Sequence, residues 1–335
     1  MSKKEYASRA KLEDQPPLPD GVPATAPKAN ALTKLPSYIC SLHPRTSGVI
    51  PPEFAKAVQE LSSVLKMPVW LIVQTGGTGS YNQLTAKLWR SLLLKKKEII
   101  EGQRIVLLIH SPGGYAKAAY QIATFFRRHC GGFIAAVPRY AKSAATLLAL
   151  GADEILLGKY AELGPLDAQV LDPDREERYS ALDEVQILER MHAFALSAID
   201  RSMFLLAGRT KKKIDKLLPS TLDFISNMMR PLLEGIDTVH YTQMSRLLKV
   251  AEEYATRLLL PRHQSKEGAQ EIARHLVESY PDHEFVIDID EARTLGLHLG
   301  EVNSQVHAIF DRMLPYLENL NAIGEIEEVV SANAG

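Results

Sequence analysis

The sequence predicts an α/β protein built on a mostly parallel sheet. Short apolar runs bounded by polar or turn residues read as buried strands, amphipathic runs between them read as helices, and this alternation gives way to long helices after Ser180. The 335 residues, 46% of them apolar, suffice for a sizeable core.

Residues 1–35 come first. They hold Pro16, Pro17, Pro19, Pro23 and Pro27 without regularly spaced large apolar residues, the composition of a disordered arm. The expected strands are Pro68–Val73, Arg104–His110, Phe133–Val137 and Glu154–Leu157. Within Ala118–Arg128, residues Ala119, Ile122, Phe125 and Phe126 recur at helical spacing, and Arg127, Arg128 and His129 sit favourably at the helix end before Gly131. Ser180 with Asp183 reads as a capping box opening a long helix with the stripe Val185, Leu188, His192, Leu196, Ile199 and Met203. Helical runs follow at 238–259 and 266–279, then a last strand at 284–289. In Ser304–Leu320, residues Val306, Phe310, Met313 and Leu317 share a face, and Pro315 is placed to kink or end that helix. The expected organisation is an arm (1–35), one α/β domain with a helical appendage (36–302) and a C-terminal amphipathic helix with its tail (303–335).

Lys plus Arg number 39 and Asp plus Glu 40, a net charge of −1 that argues against nucleic acid or an anionic membrane as principal partner. The apolar stretch Ala144–Ala152 is too short to span a bilayer, and the opening Met-Ser-Lys-Lys-Glu has no apolar signal core, so a cytoplasmic protein is expected. Cys40 and Cys130 suggest neither a disulfide framework nor a Cys-based metal site.

In doubly wound α/β proteins, sites form at the carboxyl ends of strands. The first strand runs into the glycine-rich Gly76–Ser80 turn, which fits neither the P-loop nor the dinucleotide spacing. The second runs into His110-Ser111-Pro112-Gly113-Gly114. Pro112 biases Ser111 towards an extended conformation, and two glycines allow a sharp turn with bare N–H groups, the means of building an oxyanion hole from main chain. The third runs into Ser143, at the mouth of an apolar helix. A lone serine there is most often an N-cap, but Gly113 and Ser143 lie at consecutive strand ends, where the sheet can bring them side by side.

Three segments, Leu107–Gly114 (LLIHSPGG), Val137–Leu148 (VPRYAKSAATLL) and Ala152–Gln169 (ADEILLGKYAELGPLDAQ), with Gly296–Val302 as a closing element, resemble the serine dehydrogenase proteinase family. These are Clp-fold serine peptidases of the Clp protease/crotonase superfamily, related to signal peptide peptidase A. The resemblance implies a layered β-α-β core of the Clp protease/crotonase type and Ser143 as nucleophile. It implies an oxyanion hole from the N–H groups of Gly113 or Gly114 and of Ala144, with Gly164–Asp167 beside the site. It also implies a peptide or protein substrate, a homo-oligomer, and no cofactor or metal. Asp167 lines the site or anchors its loop.

A serine needs a proton acceptor. No lysine lies between Tyr160 and Thr210; His192 is that stretch's one histidine and is taken as the candidate base, although it sits on an apolar stripe, where a packed, hydrogen-bonded core histidine is the more frequent meaning. Lys211, Lys212 and Lys213, next to Lys216, read as a solvated face, with Lys211 kept as an alternative; Lys142, Lys159 and His110 also stay open. Two other readings of the same fold are an acyl-thioester enzyme of crotonase type and a non-catalytic scaffold.

Overall fold

The computed structural model describes residues 37–42, 50–77, 79, 81–99, 101–171, 178–263 and 265–329; the arm expected at 1–35 lies outside them. The first half contains β1 (Ser37–Cys40), α1 (Pro52–Leu65), β2 (Val69–Val73), α2 (Ala86–Leu94), β3 (Ile105–His110), α3 (Ala116–His129), β4 (Phe133–Val137), β5 (Tyr140–Ala141), α4 (Ala144–Leu150), β6 (Glu154–Leu157) and β7 (Glu162–Leu163). Then come β8 (Gln169–Leu171), β9 (Arg178–Ser180), α5 (Ala181–Thr210), α6 (Ile214–Glu234), α7 (Thr238–Leu259), α8 (Lys266–Glu278), α9 (Ile289–Thr294), α10 (Ser304–Leu317), β10 (Ala322–Gly324) and β11 (Ile326–Val329).

The central sheet has the order β10-β2-β3-β4-β6. Its four expected strands run parallel, and β10 closes one edge antiparallel to β2. Side chains alternate between its faces. Trp70, Ile72, Leu107, Ile109 and Val137 pack with α2, α3, α4 and α7 in one apolar layer. Leu71, Val73, Val106 and Leu108 pack with Phe54 of α1 and Phe310 of α10 in the other. Burial on both faces explains why these strands read as unbroken apolar runs.

The helix boundaries of α7 and α8 fall within a residue of those expected, because Asp237 and Ser265 cap their first turns. Ser180 caps α5, accepting from Leu182 N–H at 3.0 Å. Two features differ from expectation, and α6 falls where no element was assigned. α6 contains Pro219 and Pro231 yet continues through both, packed along α5. The run 284–289 forms no strand; it contributes one antiparallel bridge, Leu163 with Ile287, before α9 begins. The chain after α10 returns to the central sheet, where β10 pairs with β2, and then forms a separate two-stranded sheet in which β11 pairs with β1.

Beyond the carboxyl ends of the central strands, extended segments form a second row. Ser111 bridges Ala141, β5 pairs in parallel with β7, Leu163 bridges Ile287, and Gly114 bridges Leu84. This row sets the positions of residues 111–114, 141–143 and 162–167.

Phe126 of α3 is fully buried against Trp70, Phe125 and Phe133, with ring centroids 5.6, 5.4 and 6.1 Å away. Phe126→Ala is expected to lower unfolding free energy by about 3–5 kcal/mol in denaturant titration, since the rigid neighbours leave a cavity that collapses only in part.

Candidate active site

Ser143 stands between β5 and α4 with φ 51° and ψ −120°, a conformation L-residues adopt only under constraint. The constraint is visible on both sides. Lys142 N–H donates to Ser111 O at 3.0 Å, and Ala145 N–H donates to Lys142 O at 2.8 Å. Every residue of α4 is buried, which fixes the helix that follows. Inside it, Thr146 Oγ1 accepts Gly164 N–H at 3.0 Å and shares its proton between Ala141 O (2.7 Å) and Gly164 O (2.9 Å). A strained strand-to-helix turn of this kind lifts a serine hydroxyl out of the backbone's reach. Accordingly Ser143 is half-buried, and its Oγ makes neither an N-cap bond nor any other hydrogen bond among the described residues.

The Pro112-Gly113-Gly114 turn lies directly against it. A Cβ placed on Gly113, whose φ is 110°, would stand 2.7 Å from Lys142 O, 3.0 Å from Ala144 N and 3.0 Å from Ser143 Cβ. A Cβ on Gly114 would meet Leu84 O at 2.4 Å, so both glycines are required by close backbone approach. The turn is pinned from beneath. Buried Gln74 donates from Nε2 to Tyr81 O at 2.7 Å and accepts Ser111 Oγ–H at 2.7 Å through Oε1. Ser111 Oγ in turn accepts Gly113 N–H at 3.1 Å.

That last bond separates the two glycines. The Gly113 amide is already spent, whereas the N–H groups of Gly114 and Ala144 donate to nothing among the described residues. The structure therefore brings Ser143, Gly113, Gly114 and Ala144 together and leaves two amides available.

Gly164 closes the other side of the turn: its Cα hydrogen points at Ser143 N, where a Cβ would come within 3.3 Å. Asp167 follows three residues later, 4% exposed, with both oxygens occupied. Oδ2 accepts Ser180 Oγ–H at 2.8 Å, and Oδ1 lies 2.5 Å from His283 Nδ1. A carboxylate engaged on both oxygens is poorly placed to abstract a substrate proton, the task an acyl-thioester enzyme of crotonase type would need a carboxylate for.

The candidate base His192 does not join this group. It is exposed on α5, in a groove against α6 with Leu188, Met191, Ile225 and Met229, roughly 16 Å along the helix axis from Ala181. The stripe it belongs to is not core, because α5 buries only Ala181 and Leu182. The groove forms a cavity of about 620 Å³ whose walls are mainly aliphatic, and it lies away from the Ser143 turn. Lys211 ends α5 in a left-handed conformation and is exposed with Lys212 and Lys213. Lys142 is tied to Glu162 at 3.2 Å. Lys159 lies over the ring of the exposed Tyr160.

His110 follows Val106 and Leu108 on β3 and so faces the α1/α10 layer. It is fully buried under Tyr140, ring centroids 4.0 Å apart, with neither ring nitrogen hydrogen-bonded. No spacing in the sequence marks the His283–Asp167 contact, because 116 residues separate the pair. The two thiols offer no rival nucleophile: burial pushes Cys40 up to about 12 and Cys130 up to about 11. Among the described residues, no three His, Cys, Asp or Glu side chains are grouped to hold a metal ion, and no helix is long and apolar enough to cross a membrane.

An unbonded serine hydroxyl on a strained turn, faced by free main-chain amides, is the arrangement acyl-transfer enzymes use. Residues 81–232, which include Gly113, Gly114, Ser143 and Asp167, match the family of ClpP-like SDH-type serine proteinases. Two uncharacterized proteins of Methanocaldococcus jannaschii are similar to it. One is 27% identical over 236 residues, 70% of this chain and 67% of that protein. The other is 29% identical over 206 residues, 62% of this chain and 54% of that protein, so the chain spans about half the length of this second relative. Among solved structures, ClpP1 from Listeria monocytogenes and a point mutant of it align at 12% and 13% identity. They cover 74% and 73% of this chain and 99% of their own, each with a TM-score of 0.32.

Burial, with the Arg139 charge second, lowers His110 to about 4. The unfolded chain then binds a proton that the folded chain refuses between about pH 6.5 and 4, so stability falls as pH drops through that window, by up to about 3 kcal/mol. Denaturant melts at pH 7 and pH 4.5 are expected to show that loss, and His110→Asn to reduce it.

Proposed function

We propose that the chain is a serine peptidase that cleaves peptide bonds by acyl transfer from Ser143. The observation that carries this is the unbonded Ser143 hydroxyl beside the unspent amides of Gly114 and Ala144. Ser143 Oγ attacks the scissile carbonyl, and the developing oxyanion is received by the Gly114 and Ala144 N–H groups. Gly113 contributes the tight turn, and its own amide is held by Ser111. Each oxyanion donor of this kind is worth about 3–4 kcal/mol in the barrier. The chemistry needs no metal or organic cofactor, and the family match supports a peptide or protein as substrate.

A fluorophosphonate probe is expected to label the wild-type chain at Ser143, and an unfolded polypeptide to be cleaved. Ser143→Ala removes labelling and lowers hydrolysis by roughly 10³-fold or more. A folded chain that is never labelled and shows no Ser143-dependent hydrolysis contradicts the proposal and favours a scaffold.

The same proposal includes self-association. Phe194, Phe204, Ile214 and Phe224 are exposed on the α5–α6 pair, Phe204 to 81%, and a second copy of this chain is the expected cover. Sedimentation is expected to give a multiple of the 37.2 kDa chain mass that shifts towards the monomer in Phe204→Glu; a wild-type monomer at micromolar concentration contradicts it.

A further inference from the structure

We infer that His283, oriented by Asp167, is the proton acceptor for Ser143, an inference that rests on the peptidase reading above. Residues 162–167 and 283–287 run side by side. Leu163 N–H donates to Ile287 O at 2.9 Å, and Ile287 N–H donates to Leu163 O at 3.1 Å. Before this bridge the chain turns, Phe285 N–H donating to Asp282 O at 3.2 Å, and the turn carries His283 onto Asp167. The first of these segments also pairs with β5, which carries Ala141 opposite Leu163 and leads directly into Ser143. Gly164 lies against Ser143 N. One row of backbone thus carries serine, imidazole and carboxylate to the same end of the central sheet.

The hydrogen bonds assign the ring its state. An ionised Asp167 only accepts, so the 2.5 Å contact from Oδ1 makes His283 Nδ1 the donor. In the neutral imidazole the lone pair is then on Nε2, which makes no hydrogen bond among the described residues. Ser180 Oγ holds the second carboxylate oxygen, and Asp167 with 4% exposure cannot rotate freely into water. The His283 side chain is itself only 14% exposed. Asp167 is the positioning residue and His283 the group that moves the proton. As Oγ bonds to the carbonyl carbon, the Ser143 proton passes to Nε2 and the carbonyl π pair becomes the oxyanion. As the C–N bond breaks, Nε2–H protonates the leaving amine. Water then repeats the sequence on the acyl-serine, and its proton takes the same route.

The experiment compares fluorophosphonate labelling rates, per folded molecule, of the wild type, Ser143→Ala, His283→Ala, His283→Gln and Asp167→Asn. His283→Ala is expected to slow labelling by roughly 10²–10⁴-fold, with part of the rate restored by added imidazole. His283→Gln keeps the bulk and a donor for Asp167, so it is expected to fold while labelling as slowly. Asp167→Asn is expected to slow labelling without rescue by imidazole. Labelling of folded His283→Gln at near the wild-type rate, or a slow His283→Ala that imidazole does not accelerate, overturns the inference and leaves the pair as a clamp on the 281–287 loop. A wild-type chain without Ser143-dependent labelling overturns the peptidase reading itself, and this inference with it.

Discussion

The site depends on two backbones that pass too close for a side chain. Gly113 meets Lys142 O and Ala144 N across a gap that admits no Cβ, and this contact couples the turn after β3 to the turn after β5. Removing it would separate the Gly114 amide from the Ser143 hydroxyl, whatever the rest of the sheet did. The contact is held by groups buried on both sides: Gln74 and Ser111 under one turn, Thr146 and α4 under the other. Such over-determination is what lets Ser143 keep a positive φ, at a cost of order 1–3 kcal/mol supplied by the packing around it.

The central strands were legible because burial on both faces writes them as continuous apolar runs; Asp237 and Ser265 cap α7 and α8 where the helical runs were expected to begin. The glycine pair and the serine were legible because close approach and a strained turn demand particular residue types. What escaped was long-range. The strands β10 and β11 are short, and β11 reads Ile-Glu-Glu-Val, so their pairing shows only in three dimensions. The α6 prolines conceal a helix that packing against α5 sustains. The stripe through His192 is apolar at helical spacing, yet among the described residues it stays largely exposed, α5 burying only Ala181 and Leu182. His283 meets Asp167 across 116 residues of chain, near the Leu163–Ile287 bridge, and no sequence spacing announces either contact.

The polar groups around the turn divide by layer. His110 is sealed on the α1/α10 side of the sheet, uncharged and without a hydrogen-bond partner, while Lys142 and Glu162 neutralise each other beside the serine. Ser111, although next to His110 in sequence, points its hydroxyl the other way into the Pro-Gly-Gly turn. Adjacent residues on one strand thus serve opposite faces, one as packing and one as a brace for the amides.

The most direct measurement is a structure of the chain after reaction with a small fluorophosphonate. The account predicts phosphorus bonded to Ser143 Oγ, with the phosphoryl oxygen accepting hydrogen bonds of about 2.7–3.1 Å from the Gly114 and Ala144 amides. A phosphoryl oxygen turned to solvent, or the adduct on a different side chain, would contradict it.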